Sequence, residues 1–166
     1  MPGVSKCLTR AVGPGVYNFS SSAELTGTLT LDPQDDPDAL FIFLIGSTLG
    51  TAAGSLQDFS SVVTINDANC CNVYWQVGSS ATIGTYTAFQ GTIIAHDTIT
   101  LNTGASIIDG RALALNAAVN LATNTISNAI CETTNESVPE PGTVPLLGAG
   151  LLGLVLLGRT SRKRAA

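Results

Sequence analysis

Few side chains in this chain are equipped for covalent or acid–base chemistry. The single histidine, His96, directly precedes Asp97. Consecutive strand residues point to opposite faces, so the sequence predicts that these two do not form a catalytic dyad. Arg111 is the one basic residue between Arg10 and Arg159, and Asp97 and Asp109 are its nearest acids in sequence. A glycan-cleaving enzyme needs clustered acids, usually with bases, on one face. The plainer reading is a structural Asp109–Arg111 pair beside a turn, and no enzyme is expected.

Metal chemistry is equally poorly provided for. Asp32-Pro33-Gln34-Asp35-Asp36-Pro37-Asp38 spaces acids as a calcium loop would, but its two prolines and the absence of the loop's glycine and distal glutamate indicate a solvated turn. The four cysteines, Cys7, Cys70, Cys71 and Cys131, include no CxxC, so neither a metal nor a cofactor is implied. Adjacent cysteines rarely pair with one another, which leaves a bridge from Cys70 or Cys71 to Cys131 or Cys7 open in an oxidising compartment.

What recurs is an uncharged surface phrase. It occurs as Ser47-Thr48-Leu49-Gly50-Thr51, Ala81-Thr82-Ile83-Gly84-Thr85, Ile99-Thr100-Leu101-Asn102-Thr103 and Val119-Asn120-Leu121-Ala122-Thr123. The closing threonines are 34, 18 and 20 residues apart, so the last two intervals fit one coil each and the first has room for two. Such a period, with Thr or Asn outside and Leu or Ile inside, predicts a parallel β-solenoid. Thr51, Thr85, Thr103 and Thr123 are expected to stack as one row, and Thr48, Thr82, Thr100 and Asn120 as another.

The elements that must carry these rows are short. Tyr17–Phe19, Leu40–Ile45, Val62–Ile65, Val73–Val77, Gly91–Ala95 and Arg111–Leu115 favour strands and are bounded by Gly, Asn, Asp or Ser, so they read as the other faces of each coil. Ser55–Ser61 reads as a loop between coils. Composition agrees: 166 residues with 45% hydrophobic, 11% charged and 5% aromatic side chains and 17 glycines fit one small all-β domain rather than a helical bundle or a disordered chain. Residues 1–143 hold three bases against twelve acids, a net charge of −9, which excludes nucleic acid as a partner.

The other four bases follow an uncharged apolar run, Val144–Gly158. As a helix its 15 residues reach only about 22 Å, short of the roughly 30 Å hydrocarbon core, and predict a thin or temporary span with the Arg/Lys cluster in the cytoplasm and residues 1–143 on the far side. Before the run stands Val138-Pro139-Glu140-Pro141-Gly142. The motif Pro139-Glu140-Pro141, the short hydrophobic helix and the basic end together resemble a PEP-CTERM sorting signal over residues 138–166. That resemblance implies a Gram-negative bacterial protein that is exported, held at the membrane at least temporarily, and cleaved near Pro139–Pro141 by an exosortase. Met1–Arg10 has no apolar signal-peptide core, so the reading expects a start further upstream or a fragment.

The body itself resembles a family. Pro14-Gly15-Val16-Tyr17-Asn18-Phe19-Ser20-Ser21-Ser22-Ala23, Leu25-Thr26-Gly27-Thr28-Leu29-Thr30-Leu31-Asp32, Phe41-Ile42-Phe43-Leu44-Ile45-Gly46-Ser47-Thr48-Leu49, Cys71–Thr82 and Gly110-Arg111-Ala112-Leu113-Ala114 are similar, in order, to the microbial ice-binding-protein-like family. The resemblance implies a right-handed parallel β-helix with a long α-helix along its side, in secreted or surface proteins that bind ice crystals. The family's N-terminal half-domain, which supplies that helix, has no counterpart here, and an uncovered side should leave apolar surface exposed. The expected division is a non-matching leader at 1–11, a partial β-helix at 12–130, a linker at 131–143 and a transmembrane sorting tail at 144–166.

Ice presents a periodic, uncharged array of water, so its binder needs a flat, weakly polar face with a matching repeat. Stacked coils supply a spacing of about 4.8 Å, and Thr combines a hydroxyl, a methyl and a stiff χ1 that loses little entropy on adsorption. In the family the ice face often carries Thr, a small residue, any residue, then Thr or Asn; Thr103-Gly104-Ala105-Ser106 is similar to this, which adds Ser106 to the candidates. The alternative partner for such a face is exopolysaccharide, as in a matrix protein or adhesin. Carbohydrate would favour exposed stacked aromatics, whereas Phe41, Phe43, Tyr74 and Trp75 lie in apolar runs that read as buried.

Overall fold

The structure, a computed structural model, describes residues 11–36, 38–66 and 72–128. Cys7, Cys70, Cys71 and Cys131, the Pro-Glu-Pro motif and the hydrophobic helix expected at 144–158 lie outside the described residues. Among the described residues the chain is all-β, and no helix is long and apolar enough to cross a membrane.

The strands are β1 (Ala11–Val12), β2 (Gly15–Phe19), β3 (Ala23–Leu25), β4 (Thr28–Leu31), β5 (Phe41–Ile45), β6 (Leu49–Thr51), β7 (Ser61–Thr64), β8 (Val73–Val77), β9 (Ala81–Ile83), β10 (Ala88–Gln90), β11 (Thr92–Ala95), β12 (Ile99–Leu101), β13 (Ser106–Ile108), β14 (Ala112–Ala114), β15 (Val119–Leu121) and β16 (Thr125–Ile126). Every third strand pairs in parallel, giving sheet A (β1-β4-β7-β10-β13-β16), sheet B (β2-β5-β8-β11-β14) and sheet C (β3-β6-β9-β12-β15). The result is a parallel β-helix of five coils, each running from sheet B through sheet C to sheet A.

The alternation of side chains decides what faces in. On sheet B the inward row Tyr17–Phe43–Trp75–Ile93–Ala112 follows the register of five neighbouring strands. Phe43 and Trp75 stack with ring centroids 3.9 Å apart, Tyr17 lies 5.1 Å from Phe43, and Phe89 meets Trp75 from sheet A at 4.9 Å. The indole N–H is satisfied by donation to the Gln90 carbonyl at 3.0 Å. Sheet C contributes Leu49, Ala81, Ile83, Ile99 and Leu101, and sheet A Leu29, Leu31, Val62, Phe89 and Ile107, to one continuous core. At the fifth coil the inward-facing Val119, Leu121 and Ile126 are partly exposed, because no further described coil lies against them.

Three sequence expectations need correction. The interval from Thr51 to Thr85 holds one coil rather than two: Gly50 pairs directly with Thr82, and the extra length is taken by residues 52–60 and by the segment leading to β8. Ser55–Ser60 is accordingly a loop within the second coil, between β6 and β7, and Ser61 already belongs to β7. Tyr74 is 37% exposed on the outer side of sheet B, whereas Phe41, Phe43 and Trp75 are buried. Each follows from register, which composition does not encode.

Candidate functional site

The three outer faces differ sharply in chemistry. Sheet B presents Val16–Ile42–Tyr74–Thr92 and Asn18–Leu44–Gln76–Ile94–Leu113, a largely apolar surface on which Val16 is 62% exposed. Sheet A presents Thr28–Ser61–Ala88–Ser106–Thr125, with Ser61 buried and hydrogen-bonded to Thr28 at 2.9 Å, beside exposed Val63 and Ile108. Sheet C is the small, polar face. Its outward row is Glu24–Gly50–Thr82–Thr100–Asn120.

A second row runs beside it on sheet C. The N–H groups of Ala23, Leu49, Ala81 and Ile99 donate to the carbonyls of Thr48, Ser80, Thr98 and Ala118, so these last four occupy equivalent positions. Ser22 precedes them in the first coil and accepts a hydrogen bond from Thr48 Oγ1 at 2.8 Å. The residues of this second row immediately precede the strands, two positions before the outward residues of the first row. Apart from Glu24, every member is Ser, Thr, Asn, Gly or Ala.

The structure brings together some of the sequence-predicted residues and separates others. Thr82, Thr100 and Asn120 form one row, with Asn120 Nδ2 reaching Thr100 Oγ1 at 3.5 Å. Thr48 is not their fourth member, since Gly50 takes that position and Thr48 falls into the adjacent row. Thr85, Thr103 and Thr123 follow sheet C at the corner that leads to sheet A; Thr85 Oγ1 donates to the Gly54 carbonyl at 3.0 Å, and Thr123 Oγ1 to the Ala122 carbonyl at 2.7 Å. Ser106 begins β13 and lies on sheet A, so Thr103-Gly104-Ala105-Ser106 turns the corner instead of lying on one face. Ser22, Ser80 and Thr98 were not foreseen, although Ser80 and Thr98 each stand two residues before a recognised outward position, Thr82 and Thr100.

Thr51 leaves the surface altogether. It is 7% exposed, exchanges a hydrogen bond with Thr87 Oγ1 at 2.8 Å, and accepts one from the Gly84 N–H at 2.8 Å. Its predicted row therefore has no member in the second coil. Thr51→Val should destabilise the chain by about 1–3 kcal/mol, because two buried polar groups lose their partner. Denaturant unfolding checks this.

The acid–base candidates gather at a different corner. His96 Nδ1 lies 2.9 Å from Asp97 Oδ1, contrary to the expectation of opposite faces, because β11 ends at Ala95 and both residues sit on the bend that follows. Ser79 Oγ donates to Asp97 Oδ2 at 3.2 Å, and Asn116 Nδ2 donates to the His96 carbonyl at 2.9 Å. The serine thus bonds the carboxylate rather than the imidazole, and the group clamps coils three, four and five together at an exposed edge. Among the described residues no Arg or Lys nitrogen lies within ion-pair distance of a carboxylate, so Asp109 and Arg111 do not form the expected bridge. In the acidic turn, the Gln34 backbone N–H and then the Asn66 amide hold the Asp32 carboxyl below the usual carboxylate range. Among the described residues no three His, Cys, Asp or Glu side chains converge to hold a metal ion.

Comparison with known proteins identifies relatives of this fold. Residues 5–127 match the Ice-binding-like family, and residues 137–163 match the PEP-CTERM protein-sorting motif. An ice-binding protein of Nostoc sp. (strain HG1) is 53% identical over 149 residues, covering 88% of this chain and 53% of the relative. Ice-binding protein 1 of Shewanella frigidimarina (strain NCIMB 400) is 39% identical over 116 residues, covering 69% and 12%. The crystal structure of an ice-binding protein from the Antarctic ascomycete Antarctomyces psychrotrophicus superposes with a TM-score of 0.65 at 39% identity, covering 72% of this chain and 55% of that one. An ice-binding protein from an Antarctic biological consortium gives 0.64 at 43% identity, covering 70% and 50%. The chain thus spans about half the length, or less, of each of these relatives.

Proposed function

This chain belongs to the ice-binding-like family, and from that premise we propose that it adsorbs to ice through the outer face of sheet C, without chemistry and without a cofactor. The observation that carries this is the register of Thr82, Thr100 and Asn120 beside Ser80 and Thr98, which repeats polar groups at the coil spacing of about 4.8 Å. Thr103 and Thr123 extend the face at its corner. Sheet B is too apolar and sheet A too interrupted to offer water a comparable array.

The sorting motif supports export and association with the cell surface. In this reading residues 12–130 form the ice-binding body and 131–143 a linker, and the tail from 144 holds the chain temporarily in a membrane until an exosortase cuts near Pro139-Glu140-Pro141. The bacterium would then carry or release an ice binder outside the cell.

The test is the shape of a single ice crystal growing in a solution of the full chain, once circular dichroism has established a β-rich fold. Faceted or arrested growth is expected. Unfaceted discs from folded protein would overturn the reading and favour a matrix protein or adhesin that binds exopolysaccharide.

A further inference from the structure

The sheet C face is incomplete in a specific way. The third and fourth coils each present hydroxyls two residues apart, at Ser80 and Thr82 and at Thr98 and Thr100. In the second coil only Thr48 remains, because Gly50 occupies the partner position. The first coil keeps Ser22 but sets exposed Glu24 at the end of the row. The paired hydroxyl pattern therefore covers two of five coils.

Nothing in the packing asks for glycine at 50. A Cβ built there meets no atom closer than the Glu24 Cγ, at 3.9 Å, and the backbone is not in the left-handed region. The corner glycines contrast with it: a Cβ on Gly46, Gly78 or Gly84 would come within 2.5–2.7 Å of a backbone carbonyl oxygen of the neighbouring coil. Those positions are fixed by the fold, whereas Gly50 is free to vary. Glu24 has a different effect, since an exposed carboxylate keeps its own hydration shell and cannot enter an uncharged water lattice without losing it.

Resting on the assignment of sheet C as the ice face, we infer that Glu24 and Gly50 set its boundary and limit its strength: the chain adsorbs through its third to fifth coils, and the first two are held out of contact by one missing side chain and one charge. Adsorption to a lattice is multivalent, so each coil added in register strengthens all the others. Filling position 50 alone extends the paired rows to three coils. Changing position 24 alone leaves the gap in place. The two changes should therefore act more than additively.

The experiment compares the full chain with Gly50→Thr, Glu24→Thr and the double variant, each with Thr100→Lys as a companion, by the concentration that halves ice recrystallisation and by thermal melting. Glu24→Thr alone is expected to change that concentration by less than about twofold, Gly50→Thr to lower it severalfold, and the double variant to lower it by about tenfold. A double variant that melts at or above the parent temperature but inhibits no better would overturn the boundary inference, provided Thr100→Lys abolishes activity. If Thr100→Lys changes nothing, the assignment of sheet C has itself failed, and the boundary with it. Gly50→Val separates the hydroxyl from strand stiffening: a gain as large as that from threonine would overturn the paired-hydroxyl basis of the boundary.

Discussion

Thr100→Lys should abolish the shaping of ice crystals while leaving the melting temperature unchanged. Thr100 is the centre of the row, with Thr82 on one side and Asn120 on the other. Its neighbours in sequence, Ile99 and Leu101, turn inward and hold β12 in the core at no more than 1% exposure, so a longer side chain at 100 extends away from the core and gives up only the long, exposed contact from Asn120. An ammonium group there must either shed its water or hold the surface away from the lattice. Even a penalty of roughly 1–3 kcal/mol, comparable to one unsatisfied polar group, lowers an adsorption equilibrium by about fivefold to somewhat over a hundredfold. Gln76→Lys, which places the same charge on the outer side of sheet B, is the control and should leave shaping intact. Thr103→Lys should produce a smaller loss than Thr100→Lys, because Thr103 lies at the corner. Equal shaping by Thr100→Lys and the parent protein would remove sheet C from consideration.

This prediction rests on a register that the sequence only partly discloses. The parallel solenoid was legible because strand-favouring stretches alternate with Gly, Asn and Ser at coil-sized intervals, and the core positions follow from period-two alternation. The row Thr82–Thr100–Asn120 was legible for the same reason, as coils three to five have nearly equal lengths. The second coil was not, and the cause is local. In its phrase the aliphatic Leu49 fills the first inward position opposite Ala81, while the second is taken by a polar residue, Thr51, whose hydroxyl is satisfied internally by Thr87 and Gly84. Matching Leu49 to Ile83 by type therefore shifts the alignment by two residues, which leaves Thr48 outward but in the wrong row and sets the inward Thr51 against Thr85, a corner residue beyond the end of β9. Thr87 and Thr51 compensate one another across 36 residues, a pairing that no local pattern reveals. The His96–Asp97 contact escaped for a related reason: alternation holds only within strands, and the strand stops one residue earlier.

Gly110→Ala should be among the most damaging single substitutions in the body, and its cause is steric. A Cβ at this position would lie 2.0 Å from the Gly91 carbonyl oxygen and 2.4 Å from its carbon, both backbone atoms of the coil beneath. Gly91 cannot retreat, because it adopts φ +98° and its own Cα faces Val73, whose carbonyl and side chain would come within 2.7 Å of any added Cβ. The three residues form a column at the corner between sheets A and B, where successive coils approach more closely than side chains permit. Hydrogen bonds from Gly91 N to Ile108 O at 3.3 Å and from Gly110 N to Ser127 O at 3.0 Å hold that approach. Overpacking costs about 1–3 kcal/mol where side chains can yield, and more where only backbone is available to move. Against a total stability of roughly 5–15 kcal/mol, a loss of about 3 kcal/mol should lower the melting temperature by about 10 °C or more. Gly50→Ala, with open space above its Cα, should be neutral or mildly stabilising, so the pair distinguishes a crowded column from a general intolerance of change. A Gly110→Ala protein that melts with the parent would mean that the coils are not stacked this closely. The coil spacing on which the sheet C rows depend would then lose its support, since the column and the rows are read from the same five turns of the chain.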